Sequence, residues 1–371
     1  MIKIAFLLVA FIITNSFLSL PGEMKLQNLK PGNIDSLVNI EAAKFLSDSQ
    51  HIGLSIGIYS NGQVRTYNFG SVTKQRHVLP TANTIYEIGS ITKTFTGILL
   101  ASAVVEKKIN LEDDVRKYLG KKFANLQFDG MPVRIIHLAN HTSGLPKNIP
   151  DYPKQLQVAQ ILATYRSYST EKFLSDLQKI SLTGQPGATY SYSNAGTQLL
   201  GIILEKVYHQ NYSGLVKKYI TTPNQMYHTG LTNATGTDHV TIGYNAKGHP
   251  MPYCSQWKTI PAAGYLSSSV SDMLKYMQYN IEEADAAVAL SHQPTFLKTA
   301  EDSSDIGLCW FTRSSGSNKE VMHAGGTFGT TSFCYFIPAL KKGIVCFAND
   351  ASASTETALR GMSKMILNFC E

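Results

Sequence analysis

Ser90 and Lys93 stand three residues apart in Ser90-Ile91-Thr92-Lys93, a spacing that offers the chain a nucleophile with its own base. A serine hydroxyl is a poor nucleophile at neutral pH, and a lysine held in a dry cleft is one way of supplying the base it needs. Apolar residues at Ile91, Phe95, Ile98, Leu99, Val105 and Ile109 follow a helical period, so Ser90 falls in the first turn and Lys93 becomes its i+3 neighbour. Gly97 is the weakest helix former in that run. An S-x-x-K pair alone is common, and its weight here comes from two further motifs, Tyr192-x-Asn194 and His323-Ala324-Gly325. Tyr192-Ser193-Asn194 follows the turn Gly184-Gln185-Pro186-Gly187 and precedes a helical run through Leu199, Leu200, Ile203, Leu204 and Val207, a connection of the kind that presents functional side chains. An acyl-transfer site needs a nucleophile, a proton carrier, oxyanion donors and an orienting cleft. The three motifs together supply those parts.

Other chemistry-bearing patterns fit structural roles better. Gly53-Leu54-Ser55-Ile56-Gly57 matches G-x-S-x-G, but a nucleophile elbow turns from strand into helix after its serine, whereas Ser55 sits in mid-strand and runs into a hairpin. His137 and His141 have the i, i+4 spacing of a helical zinc pair. Leu138 occupies the place of the general-base glutamate and no third ligand is near, so packing and hydrogen bonding explain them and no metal or cofactor is expected. Asn110-Leu111-Glu112-Asp113-Asp114-Val115 reads as a turn whose acids cap a short helix through Tyr118.

The elements that must position the motifs alternate between periods of two and 3.6. Ile34 to Leu46 is helical. His51–Tyr59 and Gln63–Gly70 alternate around Ser60-Asn61-Gly62, an antiparallel hairpin. Helical patterns follow at Val133–His141, Ala159–Tyr165 and Glu171–Ile180, and Ser269 caps a helix with Asp272 three residues on. Strands return at Ile306–Thr312, Glu320–His323, Thr331–Ile337 and Gly343–Phe347, and a helix closes the chain from Ser354 to Phe369. This predicts an α/β (α+β) fold: an antiparallel sheet built from both ends, flanked by helices, with an all-helical lobe inserted between. The expected domains are residues 25–110 with 296–371 as a discontinuous α/β unit, and 111–295 as the mainly helical lobe.

With 371 residues, 43% of them hydrophobic and 16% charged, the chain can bury a large core. Lys3 followed by the apolar run Ile4–Ile13 marks residues 1–22 as a signal peptide or, uncleaved, a membrane anchor, placing the working body outside the cytoplasm, in a periplasm. Net charge is +7 with scattered basic residues and no aromatic-basic ladder, which excludes nucleic acid as a partner and allows loose association with a membrane or cell wall. The five cysteines, Cys254, Cys309, Cys334, Cys346 and Cys370, are odd in number and lack C-x-x-C spacing. Buried free thiols are expected, with Cys309, Cys334 and Cys346 inside strands.

From about residue 35 to the C-terminus the chain resembles the serine β-lactamase and penicillin-binding protein superfamily, in the branch of class C β-lactamases, DD-carboxypeptidases and related esterases. The resemblance rests on Glu87-Ile88-Gly89-Ser90-Ile91-Thr92-Lys93-Thr94-Phe95-Thr96, His141-Thr142-Ser143-Gly144-Leu145-Pro146, Pro186-Gly187 with Tyr190-Ser191-Tyr192-Ser193-Asn194-Ala195-Gly196, and His323-Ala324-Gly325-Gly326. It implies a β-lactamase/transpeptidase-like fold, Ser90 as acylated nucleophile, Lys93 easing its deprotonation, and Tyr192 as a proton shuttle made more acidic by neighbouring cations. Asn194 would bond the substrate amide and Lys93. The N–H groups of Ser90 and Gly326 would form an oxyanion hole worth roughly 3 kcal/mol per donor. Gly325 continues that substrate-binding strand, and Asn148 would touch the substrate acyl group. Many family β-lactamases carry lysine where this chain has His323, and a histidine attracts a carboxylate only when protonated. The resemblance therefore implies first a DD-carboxypeptidase or endopeptidase acting on D-alanyl peptides of peptidoglycan, then a β-lactamase or small-ester hydrolase. The non-enzyme alternative is a pseudoenzyme that binds penicillin or peptidoglycan.

Overall fold

A computed structural model describes residues 33–151, 158–231, 239–253, 261–297 and 304–370. The strands of its large sheet, numbered in chain order, are β1 Gly53–Ser60, β2 Gln63–Gly70, β3 Asp305–Ile306, β4 Phe311–Ser315, β5 Asn318–Gly326, β6 Thr331–Ile337 and β7 Lys342–Ala348. Their order across the sheet is β2-β1-β7-β6-β5-β4-β3, and every pairing is antiparallel. The N-terminal hairpin thus joins the C-terminal strands directly, with Ile56 opposite Cys346. Asn61 and Gly62 supply its turn with φ of 50° and 84°, the paired left-handed conformation that a two-residue hairpin requires.

Both faces of this sheet are covered. Helices α1 Ile34–Leu46 and α5 Thr355–Phe369 bury Val38, Ala42, Leu359 and Ile366 against Ile56, Phe333 and Ile344. On the other face lies α4 Val270–Glu282, packed on β1 and β7. Ser269 caps α4 by accepting the Asp272 N–H at 3.2 Å. Next to it run α2 Thr92–Val105 and α3 Asn194–Tyr208, whose buried faces share one apolar cluster with Trp310, Phe336 and Phe347. Shorter helices lie at Ile135–Ala139, Val158–Ser167 and Thr170–Leu177, the first of them packed on α3.

The structure departs from the sequence expectation at Ile306–Thr312, which is two strands separated by a turn rather than one. Cys309 sits in that turn with φ of 61°, and its N–H donates to the Ala139 carbonyl at 3.0 Å. The reason is a close approach. The Leu308 carbonyl lies against Gly97 of α2, where an added Cβ would come within 2.0 Å of the oxygen. An apolar run has the same composition whether it continues as a buried strand or bends to meet a helix. Cys334 and Cys346 lie in β6 and β7, and with Cys309 they are buried free thiols. Cys370 is half-buried and free. Cys254 lies outside the described residues, as does the N-terminal charged and apolar run.

Candidate active site

Ser90 is reached by a short strand, Tyr86–Glu87, that pairs with Ser267–Ser268 and then tightens into a single 3-10 turn over Gly89–Ile91 before α2 begins. The turn is clamped from two sides. The Leu266 backbone holds both sides of it, its carbonyl accepting the Ile88 N–H at 3.0 Å and its N–H donating to the Thr92 side-chain Oγ1 at 3.1 Å. From the sheet side, the Thr330 hydroxyl donates to the Glu87 carbonyl and the Ser332 hydroxyl to the Ile88 carbonyl, each at 2.9 Å. Glycines let the strand come this near. A Cβ on Gly325 would stand 2.0 Å from the Ile88 carbonyl oxygen, and one on Gly89, whose φ is 49°, would stand 2.5 Å from the Gly326 nitrogen. The Gly326 amide is thereby laid beside the residue that precedes the nucleophile.

Lys93 lies in the first turn of α2 with no exposed surface, its Nζ 3.1 Å from Ser90 Oγ. Burial pulls the amine down from 10.5 to about 7, with the charge of Lys147 adding to the shift and the Cys309 thiol opposing it. Its second partner is the carbonyl of Ala263, to which the amine donates. Pro261–Gly264 is a single helical turn, and the last carbonyls of a helix have no partner of their own. That acceptor was invisible in the sequence because it is backbone.

Tyr192 completes the floor. Its hydroxyl bonds Ser90, Lys93 Nζ stands 5.0 Å from its ring centre, and the His141 ring packs on it at 4.5 Å. The resemblance implied a more acidic phenol. Here burial pushes it well above its usual range and the Ser90 bond opposes this only in part, so Tyr192 keeps its proton at neutral pH. Asn194 is the first residue of α3, held by Ser193, whose hydroxyl accepts the Gly196 N–H at 2.9 Å. The Asn194 side-chain amide donates to Asn148 Oδ1 at 2.8 Å rather than meeting Lys93, which is engaged with Ala263.

His323 lies in β5 with 2% of its surface exposed, its ring 5.2 Å from that of Phe311. Its Nδ1 faces the Ala324 carbonyl at 2.6 Å, an acceptor, so the ring proton is on Nδ1. Nε2 is buried with no hydrogen-bond partner among the described residues. Burial, with the nearby charge of Lys93, lowers its pKa to about 3.

The remaining candidates separate from the site. Ser55 is buried in β1, bonded to Asn68 Oδ1 and to the Tyr86 hydroxyl at 2.9 Å. His137 and His141 do not share a helix face, because the helix ends at Ala139 and His141 takes a left-handed φ of 60°. His137 Nδ1 accepts the Arg134 N–H at 3.1 Å, and His141 Nδ1 accepts the Ser193 N–H at 3.3 Å. His141 thus braces the Tyr192 loop.

Ser90, Asn148, Asn194 and Gly326 open on one cavity of about 370 Å³. Sequence reasoning missed its apolar wall, made by Ile149, Ile161, Tyr165, Phe173 and Tyr265. Nothing in their types separates them from core residues, and only the path of the chain brings them to the nucleophile.

A sequence model of the family described as Beta-lactamase matches residues 39–364, nearly the whole described chain. The chain belongs to the beta-lactamase family. Within it the protein is a serine hydrolase of the serine β-lactamase and transpeptidase superfamily. It is 28% identical over 359 residues to Protein flp of Staphylococcus aureus (strain MRSA252), covering 93% of this chain and 68% of that one. It is 29% identical over 243 residues to a Beta-lactamase of Providencia stuartii, covering 65% and 59%. Among solved structures, a class C beta-lactamase superposes with a TM-score of 0.79 at 23% identity, over 93% of this chain and 98% of that one. A Beta-lactamase/D-alanine Carboxypeptidase from Yersinia pestis does so with a TM-score of 0.77 at 21% identity, over 91% and 99%. These two likenesses establish the fold, the mixed antiparallel sheet and helices described above.

Proposed function

We propose that this serine hydrolase forms and hydrolyses an acyl-enzyme at Ser90, and that small esters without a terminal carboxylate are its best substrates. The observation that carries the reading is the buried Lys93 amine, held close to neutrality 3.1 Å from Ser90 Oγ at the edge of the cavity. Neutral Lys93 takes the hydroxyl proton as Oγ attacks the carbonyl, and the Ala263 carbonyl stabilises the ammonium that results. Tyr192, still protonated, gives its proton to the leaving group and recovers one from Lys93. Water then attacks the acyl-enzyme by the reverse path. The Ser90 and Gly326 N–H groups receive the oxyanion.

The choice of substrate turns on the carboxylate that D-alanyl peptides and β-lactams carry. A neutral, enclosed His323 offers it no charge. Lys147, whose field reaches Lys93, has its side chain in solvent, where ion pairing is weak. One observation favours the second reading, a DD-peptidase or β-lactamase: the Asn148–Asn194 pair on the cavity wall can hold a substrate amide. Parallel assays with p-nitrophenyl acetate, a D-Ala-D-Ala peptide and a cephalosporin decide between them. Fastest turnover of the ester supports the first reading, and faster release of D-alanine or opening of the lactam supports the second. A fluorescent penicillin or a reactive ester should label the protein at Ser90, and equal labelling of Ser90→Ala would sink the acyl-enzyme. Lys3 with the run Ile4–Ile13 supports placing the enzyme outside the cytoplasm. Recovery of the protein in the cytoplasmic fraction alone would remove that placement and any contact with peptidoglycan.

A further inference from the structure

The cavity beside Ser90 has two kinds of lining. Asn148, Asn194 and the Gly326 backbone are polar, while Ile149, Ile161, Tyr165 and Phe173 add a broad apolar surface. Ile161 and Tyr165 are four residues apart on the helix Val158–Ser167 and so share one face. Phe173 comes from the next helix, Thr170–Leu177, and is buried with 1% exposure. The Tyr165 ring meets Tyr265 edge-on at 6.4 Å, joining this helix to the turn that carries the Ala263 carbonyl. None of the described residues that line the cavity carries a charged side chain. At about 370 Å³ the space is near the small end of ligand pockets, room for a chain of a few methylenes or a single aromatic ring.

Which half of a substrate lies there follows from Tyr192. It meets Ser90 from outside the cavity lining and keeps part of its surface exposed, so a leaving group that takes its proton departs on that side. The acyl half is left facing Ile161 and Tyr165. An apolar chain gains free energy with each methylene it buries against such a wall. A charged one loses its hydration and meets no opposite charge among the described residues of the lining.

We propose that this cavity selects substrates with an uncharged, hydrophobic acyl group of about hexanoyl length, and that Ile161 and Tyr165 set that preference. The proposal rests on the acyl-enzyme reading and narrows it. The acyl group it requires differs from a peptide stem with a free ammonium group at this position.

The test is a series of p-nitrophenyl esters, acetate, butyrate and hexanoate, with the 6-ammoniohexanoate as a charged counterpart of the longest. kcat/KM should rise by about fourfold per methylene up to hexanoate, and the ammonium ester should fall at least about tenfold below hexanoate. Ile161→Ser and Tyr165→Ala should flatten the series, and Ile161→Glu should shift the preference toward the ammonium ester. A flat series, or equal rates for the neutral and charged esters, overturns the proposal while Ser90-dependent hydrolysis keeps the acyl-enzyme intact. Turnover that survives Ser90→Ala removes the acyl-enzyme instead. Calorimetric binding of N-phenylhexanamide and its 6-ammonio analogue to Ser90→Ala protein reads the cavity without chemistry. A preference of about tenfold or more for the neutral amide is expected there, and equal affinities overturn the proposal by themselves.

Discussion

A lysine with no exposed surface is costly to keep charged, and the site turns that cost into basicity. Lys93 titrates near 7 in the folded protein and at 10.5 when unfolded. The rate should therefore rise with pH through about 7 as the amine loses its proton. His323, neutral at any pH above about 3, should add no inflection between pH 5 and 9. Lys93→Arg, which cannot deprotonate, should lower kcat/KM by roughly 10²- to 10⁴-fold across that range. The same shift has a sign for stability. Between pH 7 and 10.5 the unfolded chain holds a proton that the folded one lacks, so burying the lysine is free of penalty above 10.5 and costs most below 7, roughly 5 kcal/mol. Lys93→Met should accordingly raise the thermal midpoint at pH 6, with the gain shrinking toward pH 10. A gain that stays constant with pH would mean that packing, not charge, is responsible. The Ser90–Lys93 pair was legible because helical spacing alone brings the two side chains together. The Tyr192 phenol was misjudged in acidity because neighbouring cations can be guessed from sequence, whereas the depth of burial cannot.

Elements place these residues by approaching closely where side chains are absent. Gly97 reads in sequence as a weak point in α2, but in the fold it is the contact that docks α2 on the turn at Leu308 and Cys309. A Cβ there would meet backbone, which cannot swing aside as a flexible side chain would. Gly97→Ala should destabilise the protein by about 1–3 kcal/mol, although alanine is the better helix former. Thermal and denaturant unfolding measure it. Stabilisation by alanine would show that α2 and the turn are not held at this distance. The hairpin, α1, α4 and α5 were readable for a simple reason: their periods, turns and caps are local. The split between β3 and β4 was not, because its cause lies on another element some 200 residues earlier.

At the scale of the whole chain, the sheet is closed by its last strand. β7 lies between β1 and β6, so the N-terminal hairpin has no partner on its inner edge until residues 342–348 have been made. β1 is buried along seven of its eight residues, whereas the outer strand β2 has no fully buried residue. A chain ending at Leu340 would keep Ser90, Lys93, Tyr192 and His323 but lose β7 and α5. It would also leave Leu54, Ile56 and Ile58 uncovered on one face and the inner edge of β1 unpaired. An exposed apolar edge of this kind recruits other chains. The truncated protein should therefore aggregate and show no Ser90 labelling, and its hydrogen exchange should lack protection in β1 as well as in the α2 turn. Protection of β1 in a soluble, monomeric truncation would mean that the hairpin and helices fold independently of the C-terminal strand. In the intact chain, pairing of the two ends also fixes the site: Ser332 of β6 and Thr330 just before it hold the approach to Ser90, and β7 holds β6 against the hairpin.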